Sequence, residues 1–242
     1  MARITLVSFR LGGTDGVAIE SAKWLAALTT LGHHVRTVAG EGDADVVLPS
    51  LAIDATTSTS VPVLREAIGD ADLVIVENLA SLPLNPEARD AVYRVLEGRR
   101  ALFHHHDLPW QRPHLANLEG PRTGPLWCHV TINELSRLEL RERGVDAVTI
   151  MNSFDCEPPR GHRETTRLNL DVEGRRVVVM PSRALPRKNV EGALALCEAL
   201  DSVFWLLGPA EDGYGATLEG LLAASNVEVR RGLPEGARPI CR

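Results

Sequence analysis

Short apolar runs alternate along the chain with stretches whose apolar residues recur at helical spacing. RITLVSF (3–9) is a continuous apolar run of strand length. VAIESAKWLAALTTLG (17–32) spaces its apolar residues as a helix does and stops at Gly32, a natural C-terminal cap. The pattern then repeats through strands HVRTVA (34–39) and DLVIVEN (72–78). NPEARDAVYRVLEG (85–98) follows as a helix with an Asn cap and Pro86 at its first position. RALFHH (100–105) and CHVTI (128–132) read as strands, Asn133 to Arg143 as a helix, and AVTIM (147–151) as a further strand. Strands that are apolar throughout and separated by helices predict a parallel sheet covered on both faces.

Residues 155–174, DCEPPRGHRETTRLNLDVEG, interrupt this rhythm with prolines, glycines and charges, around a short helix near 162–169. The alternation restarts with RRVVVMPS, a helix over 188–200, VFWLLG (203–208), a helix over 216–225 and VEVRRG (227–232). The closing LPEGARPICR reads as neither helix nor strand. The expected class is therefore α/β, with two Rossmann-like doubly wound parallel-sheet domains of which the second is incomplete. The expected boundaries are 1–155 for the first domain, 156–172 for a linker and 173–242 for the partial second domain.

Composition narrows the function without naming it. At 242 residues, 44% hydrophobic and 24% charged, the chain is of ordinary globular make-up. A net charge of −6 argues against a general nucleic-acid binder, which needs a basic surface, but leaves room for a local cationic pocket. Cys128, Cys156, Cys197 and Cys241 are scattered, with no CxxC pair to suggest zinc or a disulfide framework. The N-terminus reads as a first strand and not as a signal peptide, and no apolar run reaches the ~20 residues of a membrane span. A cytoplasmic protein is expected.

Four segments carry candidate chemistry. In FRLGGTDGVAIES (9–21), Gly12, Gly13 and Gly16 lie between the first strand and helix, where glycines admit a ligand close to the backbone and expose helix-terminal amides. The segment is not GxGxxG and no acidic residue closes the second strand, which disfavours a nicotinamide dinucleotide. A plain strand-to-helix turn is the other reading. LFHHHDLPWQRP (102–113) ends a predicted strand, and ligands of open α/β sheets bind there. Alternation sends His105 away from His104 and His106, and no second cluster offers carboxylates or thiolates at ligand spacing. The segment, with His106 and Asp107, is therefore expected to hydrogen-bond a substrate, with no metal; histidines that simply finish the strand are the other reading. Glu77, at another strand end, is placed either to meet an acceptor hydroxyl or to cap the following turn.

The fourth segment is VMPSRALPRKNVEGALALCEAL (179–200), a strand end, a short loop and a helix. Arg183, Arg187 and Lys188 crowd that loop, where helix-terminal amides and cations together favour a phosphate; an ordinary turn with solvated charges is the other reading. Arg183 supplies a fork of donors and Lys188 a mobile charge, so the two suit one diphosphate. Gly208 opens GPAEDGYG (208–215) at the end of the next strand, well placed to wall in a nucleotide.

Taken in order, these segments resemble the group 1 glycosyltransferases, the large retaining family that includes glycogen synthases. GGTDG, HHHD, the helix VTINELSRLELRERG, AVTIMNSFD against the family's "PNGVD", VVMPSRALPRKNVEGAL against "GRL..KG" and FWLLGPAED against "L.IVGDG" carry the resemblance through nearly the whole chain. Ser153 and Met151 depart from the interdomain motif, and Ser182 and Asn189 replace glycines of the phosphate turn. The resemblance implies a GT-B architecture and transfer of a sugar from a nucleotide-sugar with retained configuration, usually without an essential metal. It implies that Arg183 and Lys188 hold the donor diphosphate, that Gly13 approaches donor phosphate or sugar, and that His106 or a neighbouring histidine meets the donor sugar. It leaves the acceptor open: a sugar, a lipid-linked sugar or a small molecule. The family's Glu-x7-Glu motif belongs after VEVRRG, so a truncated or partner-completed donor domain is expected, with little or no transfer by the chain alone. The alternatives are a non-catalytic binding or scaffold protein on the same half-fold, or a GT-B-like sugar-nucleotide epimerase.

Overall fold

The computed structural model describes residues 1–233 apart from 14, 155, 158–160 and 212. From residue 234 on, PEGARPICR and with it Cys241 lie outside the described residues. The described residues form two compact units, one up to residue 155 and one from 156 onward.

The first unit runs β1 (Arg3–Leu11), α1 (Gly16–Thr30), β2 (His34–Gly42), β3 (Val46–Val47), α2 (Val61–Ile68), β4 (Leu73–Glu77), α3 (Pro86–Leu96), β5 (Ala101–His105), β6 (Trp127–Thr131), α4 (Glu134–Glu142) and β7 (Ala147–Thr149). Its described strands make one parallel sheet in the order β3-β2-β1-β4-β5-β6-β7. The order reverses between β1 and β4, so the crevice beyond the carboxyl ends of the central strands is where such a sheet offers a ligand site.

Strand alternation sorts the core into two layers. Ile4 and Leu6 of β1, Ile75 of β4 and Leu102 of β5 face α1 and pack with Trp24, Leu25 and Leu28. Val7 and Phe9, Val74 and Val76, and Phe103 face the other way, against Leu64 and Ile68 of α2 and Val92 and Leu96 of α3. Burying a side chain such as Leu6, which is wholly enclosed, contributes about 1.5–3 kcal/mol. The same parity continues past the apolar residues: Glu77, His104 and His106 fall on the α1 side, and His105 on the other.

Two elements have no counterpart in the sequence pattern. β3 is two residues long, too short to show alternation, and pairs with Val38 and Ala39. α2 spans eight residues, about two turns, with Pro62 near its start and Gly69 closing it at φ 65°.

The second unit runs α5 (Arg163–Asn169), β8 (Val177–Met180), α6 (Val190–Ala199), β9 (Val203–Leu206), α7 (Gly215–Ala224) and β10 (Val229–Arg231). Its three described strands are parallel, with β9 central. Phe204 and Leu206 of β9 pack with Val190, Leu194 and Cys197 of α6 and Leu218 of α7, while Val203 packs with Leu170 and Val172 on the opposite side. Among the described residues no helix is long and apolar enough to cross a membrane.

Candidate functional site

β4 and β5 end side by side, with Glu77 paired in register to His104. Both side chains are fully buried. His104 Nδ1 lies 3.1 and 3.0 Å from the two carboxylate oxygens of Glu77. His106 Nε2 lies 3.4 Å from Glu77 Oε2, within ion-pair reach but without an aligned hydrogen bond. Trp24 of α1 packs on the His104 ring at 4.6 Å, and the His104 and His106 rings are also 4.6 Å apart. Burial by itself would raise the Glu77 carboxyl, but the hydrogen bond from His104 and the nearby His106 outweigh it and hold the group below its ordinary value. Glu77 does not face solvent; it reaches its surroundings through the two histidines.

Along the chain no second cluster offers a carboxylate at ligand spacing from His104 and His106. The structure supplies one from the adjacent strand, because parallel register joins residues 27 positions apart. It also reveals Asn78, which the sequence reading took only as a strand boundary. Asn78 adopts φ 55°, a left-handed conformation that asparagine tolerates. Its Oδ1 accepts hydrogen bonds from the backbone amides of His106 (3.0 Å) and Asp107 (3.3 Å). This ties the end of β4 to the loop after β5. Asp107 itself is partly exposed and pairs with Arg112 at 2.8 Å. Trp110 and Gln111 anchor the same loop to Glu139 of α4 through hydrogen bonds of 2.9 and 2.7 Å.

On the opposite face, His105 joins a separate chain. Ser81 Oγ is 2.6 Å from His105 Nδ1, and His105 Nε2 is 2.9 Å from His129 Nδ1. The two rings stack 5.2 Å apart. Burial, and then the adjacent His129, push His105 well below the ordinary imidazole value. Burial lowers His129 to about 4. Both rings are therefore neutral near pH 7.

The glycine loop is tighter than its composition suggests. Gly12 sits at φ 73°, and a Cβ there would come within 2.7 Å of Asp43 Cβ, so packing alone requires glycine. A Cβ on Gly13 would meet only Asp15 Oδ2, at 3.1 Å, and Ala18 Cβ, at 3.7 Å. The first amides of α1, which the sequence reading left open to an anion, are already engaged: Asp15 Oδ1 accepts from Val17 (3.1 Å) and Ala18 (3.2 Å). Asp15 is held in turn by Arg10 at 3.0 Å.

In the second unit the cationic loop forms a short turn. Residues Pro186–Lys188 make one 3-10 turn, and Asn189 follows at φ 53°, capping α6 through its side chain to Gly192 N (3.1 Å). A glycine suits that left-handed position, and asparagine is the usual substitute. Gly208 lies against the backbone of Arg183: a Cβ would meet Arg183 N and Cα at 2.6 Å. Ala184 and Ala210 bridge beside it. Arg183 is engaged by Glu211, Nη1 to Oε2 at 2.5 Å, whereas Arg187 and Lys188 are exposed.

No family model matches the chain. Two curated relatives do. The mannosylglucosylglycerate synthase of Thermotoga maritima is 28% identical over 237 residues, covering 78% of this chain and 55% of that protein. The enzyme of the same name from Petrotoga mobilis is 30% identical over 201 residues, covering 65% of this chain and 46% of that one. The chain thus spans about half the length of the curated relatives it matches. Among solved structures, a glycosyltransferase from Rickettsia africae superimposes with a TM-score of 0.59 at 14% identity, over 95% of this chain and 68% of that one. The UDP-N-acetylglucosamine 2-epimerase of Rickettsia bellii does so at 0.59 and 13%, over 96% and 68%. The fold is GT-B-like. A transferase and an epimerase share it, so the fold by itself does not choose between their chemistries.

Proposed function

We propose that this chain belongs to a retaining glycosyltransferase that moves a sugar from a nucleotide-sugar to an acceptor hydroxyl. The observation that carries this reading is the sequence match to two mannosylglucosylglycerate synthases, which in one case covers 78% of the chain, more than the first unit alone can hold. The geometry of the second unit supports it. Arg183 and Lys188 flank a turn at the carboxyl end of β8, and Gly208 lets the next loop close on that turn.

On this reading Arg183 and Lys188 grip the donor diphosphate. Their fixed charge stabilises the negative charge that builds on the departing nucleoside diphosphate, so the diphosphate needs no metal of its own. Glu211 holds Arg183 until a donor displaces it. In the first unit, taken by itself, His106 and Asp107 offer hydrogen-bonding groups to a sugar, with Glu77 orienting the histidines. Gly12 shapes the first loop by packing on Asp43, and Gly13 lets a phosphate or sugar approach its backbone. The acceptor is a sugar, a lipid-linked sugar or a small molecule.

The test is calorimetric titration with UDP, GDP and ADP, followed by assays with the matching nucleotide-sugars. Arg183→Ala and Lys188→Ala should each weaken nucleoside-diphosphate binding roughly tenfold or more, since a charge-assisted hydrogen bond contributes about 1.5–3 kcal/mol. Arg187→Ala should matter less. Unchanged affinity in both of the first two variants would overturn the assignment. Conversion of the nucleotide-sugar to its epimer, with no transfer, would favour the epimerase reading instead.

A further inference from the structure

We infer that Glu77, His104 and His106 form a binding site for a divalent transition metal, best suited to Zn²⁺. The inference goes beyond the sugar-transfer reading and does not depend on it. One ligand atom from each residue lies within 4.8 Å of the other two, and this is the one group of such side chains among the described residues. Two imidazoles and one carboxylate are a donor set that zinc accepts, with the fourth tetrahedral position left for water or another oxygen.

The spacing fits. Bonds of about 2.0–2.2 Å place neighbouring ligand atoms of a tetrahedral zinc roughly 3.3–3.6 Å apart. Here His104 Nδ1 and Glu77 Oε2 are 3.0 Å apart, and His106 Nε2 and Glu77 Oε2 are 3.4 Å apart. A shift of a few tenths of an ångström along these contacts, and closure of the remaining edge, completes the triangle.

The hydrogen bonds as they stand leave the cluster unsatisfied. His104 Nε2 and His106 Nε2 are both buried without a hydrogen-bond partner. A buried polar atom left without a partner destabilises the fold. A cation beside Glu77 takes the lone pair of His106 Nε2, which otherwise has no partner, and neutralises a buried carboxylate at the same time. The frame is rigid: Trp24 clamps the His104 ring, and Asn78 fixes the backbone at His106.

The test uses the tag-free full chain with Cys128 and Cys156, which are exposed, and Cys241 changed to Ser so that these thiols do not compete. After chelator treatment and dialysis, Zn²⁺ titration with elemental analysis should give one zinc per chain. Co²⁺ should give the visible absorption of a four-coordinate site. Glu77→Gln and His106→Ala should each weaken Zn²⁺ binding tenfold or more, while the surface variant His34→Ala retains it. Zinc should raise the melting temperature of the parent chain but not of His106→Ala. Should Glu77→Gln fail to fold, His106→Ala, at the edge of the cluster, carries the test alone. Absence of stoichiometric zinc, or equal zinc binding by the parent chain and His106→Ala, would overturn the site; a hydrogen-bonded water in place of the metal gives that same result.

Discussion

The two candidate sites are built in opposite ways. In the second unit, Arg183, Lys188 and Asn189 lie within seven residues of one another on a partly exposed turn, next to each other in the chain before any packing. In the first unit, Glu77 and His104 come from neighbouring strands and meet in a fully buried position. A local, solvated turn keeps its charges cheaply, because water screens them before a ligand arrives. A buried carboxylate persists only with partners in place, so that cluster is bound into the stability of its sheet. One site tolerates change and loses ligand; the other loses fold.

The sharpest way to break this contrast is to remove one acid from each site. With chelator present, Glu77→Ala strips His104 of its hydrogen-bond partner and leaves a buried void, and should cost about 2–5 kcal/mol, the range for deleting a buried side chain. Glu211→Ala frees a partly exposed Arg183 and should change stability by no more than about 1 kcal/mol. It should also tighten nucleoside-diphosphate binding, since Arg183 then has no internal competitor. Denaturant titration of both variants checks the first pair of values, and calorimetry the last. Similar losses of stability in the two variants would erase the distinction.

Acid should separate the two units next. The unfolded chain protonates His129 at about pH 6.5, the folded one only near 4, because burial disfavours the charged ring. A group with its folded value depressed in this way stabilises fully above pH 6.5 and loses that contribution as pH falls through 4. His105 shifts the same way, and Glu77, also depressed, is lost on the acid side of its ordinary carboxylate value. The His129 term alone is worth up to about 3 kcal/mol. The second unit has an exposed His162 and no buried histidine among its described residues. Hydrogen exchange followed between pH 7 and 4 should therefore show protection falling in β4, β5 and β6 while β8 and β9 change little. Parallel loss in both sheets would contradict this.

The smallest expected effect compares two glycines of the second unit. Gly208→Ala forces a Cβ into the backbone of Arg183 and should cost about 1–3 kcal/mol, with weaker nucleotide binding. Gly220→Ala, inside α7 with nothing within 4 Å of the new Cβ, should stabilise by roughly 0.5–1 kcal/mol. Thermal melts of the two variants should move in opposite directions, and a shift of the same sign would show that the Gly208 contact does not constrain the turn.

The strands and long helices could be read from the chain because their signals are local. Apolar runs such as LVIV and VVVM, the Asn85–Pro86 cap and Gly32 act within a few residues. β3 and α2 escaped because two residues carry no alternation, and two turns carry little helical periodicity. For the same reason the cationic turn around Arg183 and Lys188 could be named in advance, and so could the separation of His105 from His104 and His106, which follows from a period of two. Tertiary structure alone decided the rest. It brought Glu77 under His104, joined His105 to Ser81 and His129, gave Asn78 its hold on the loop after β5, and filled the first amides of α1 with Asp15. Those pairings depend on which strands neighbour one another and in what register. That is a property of the packed sheet, where long-range burial selects one arrangement, and no short stretch of sequence contains it.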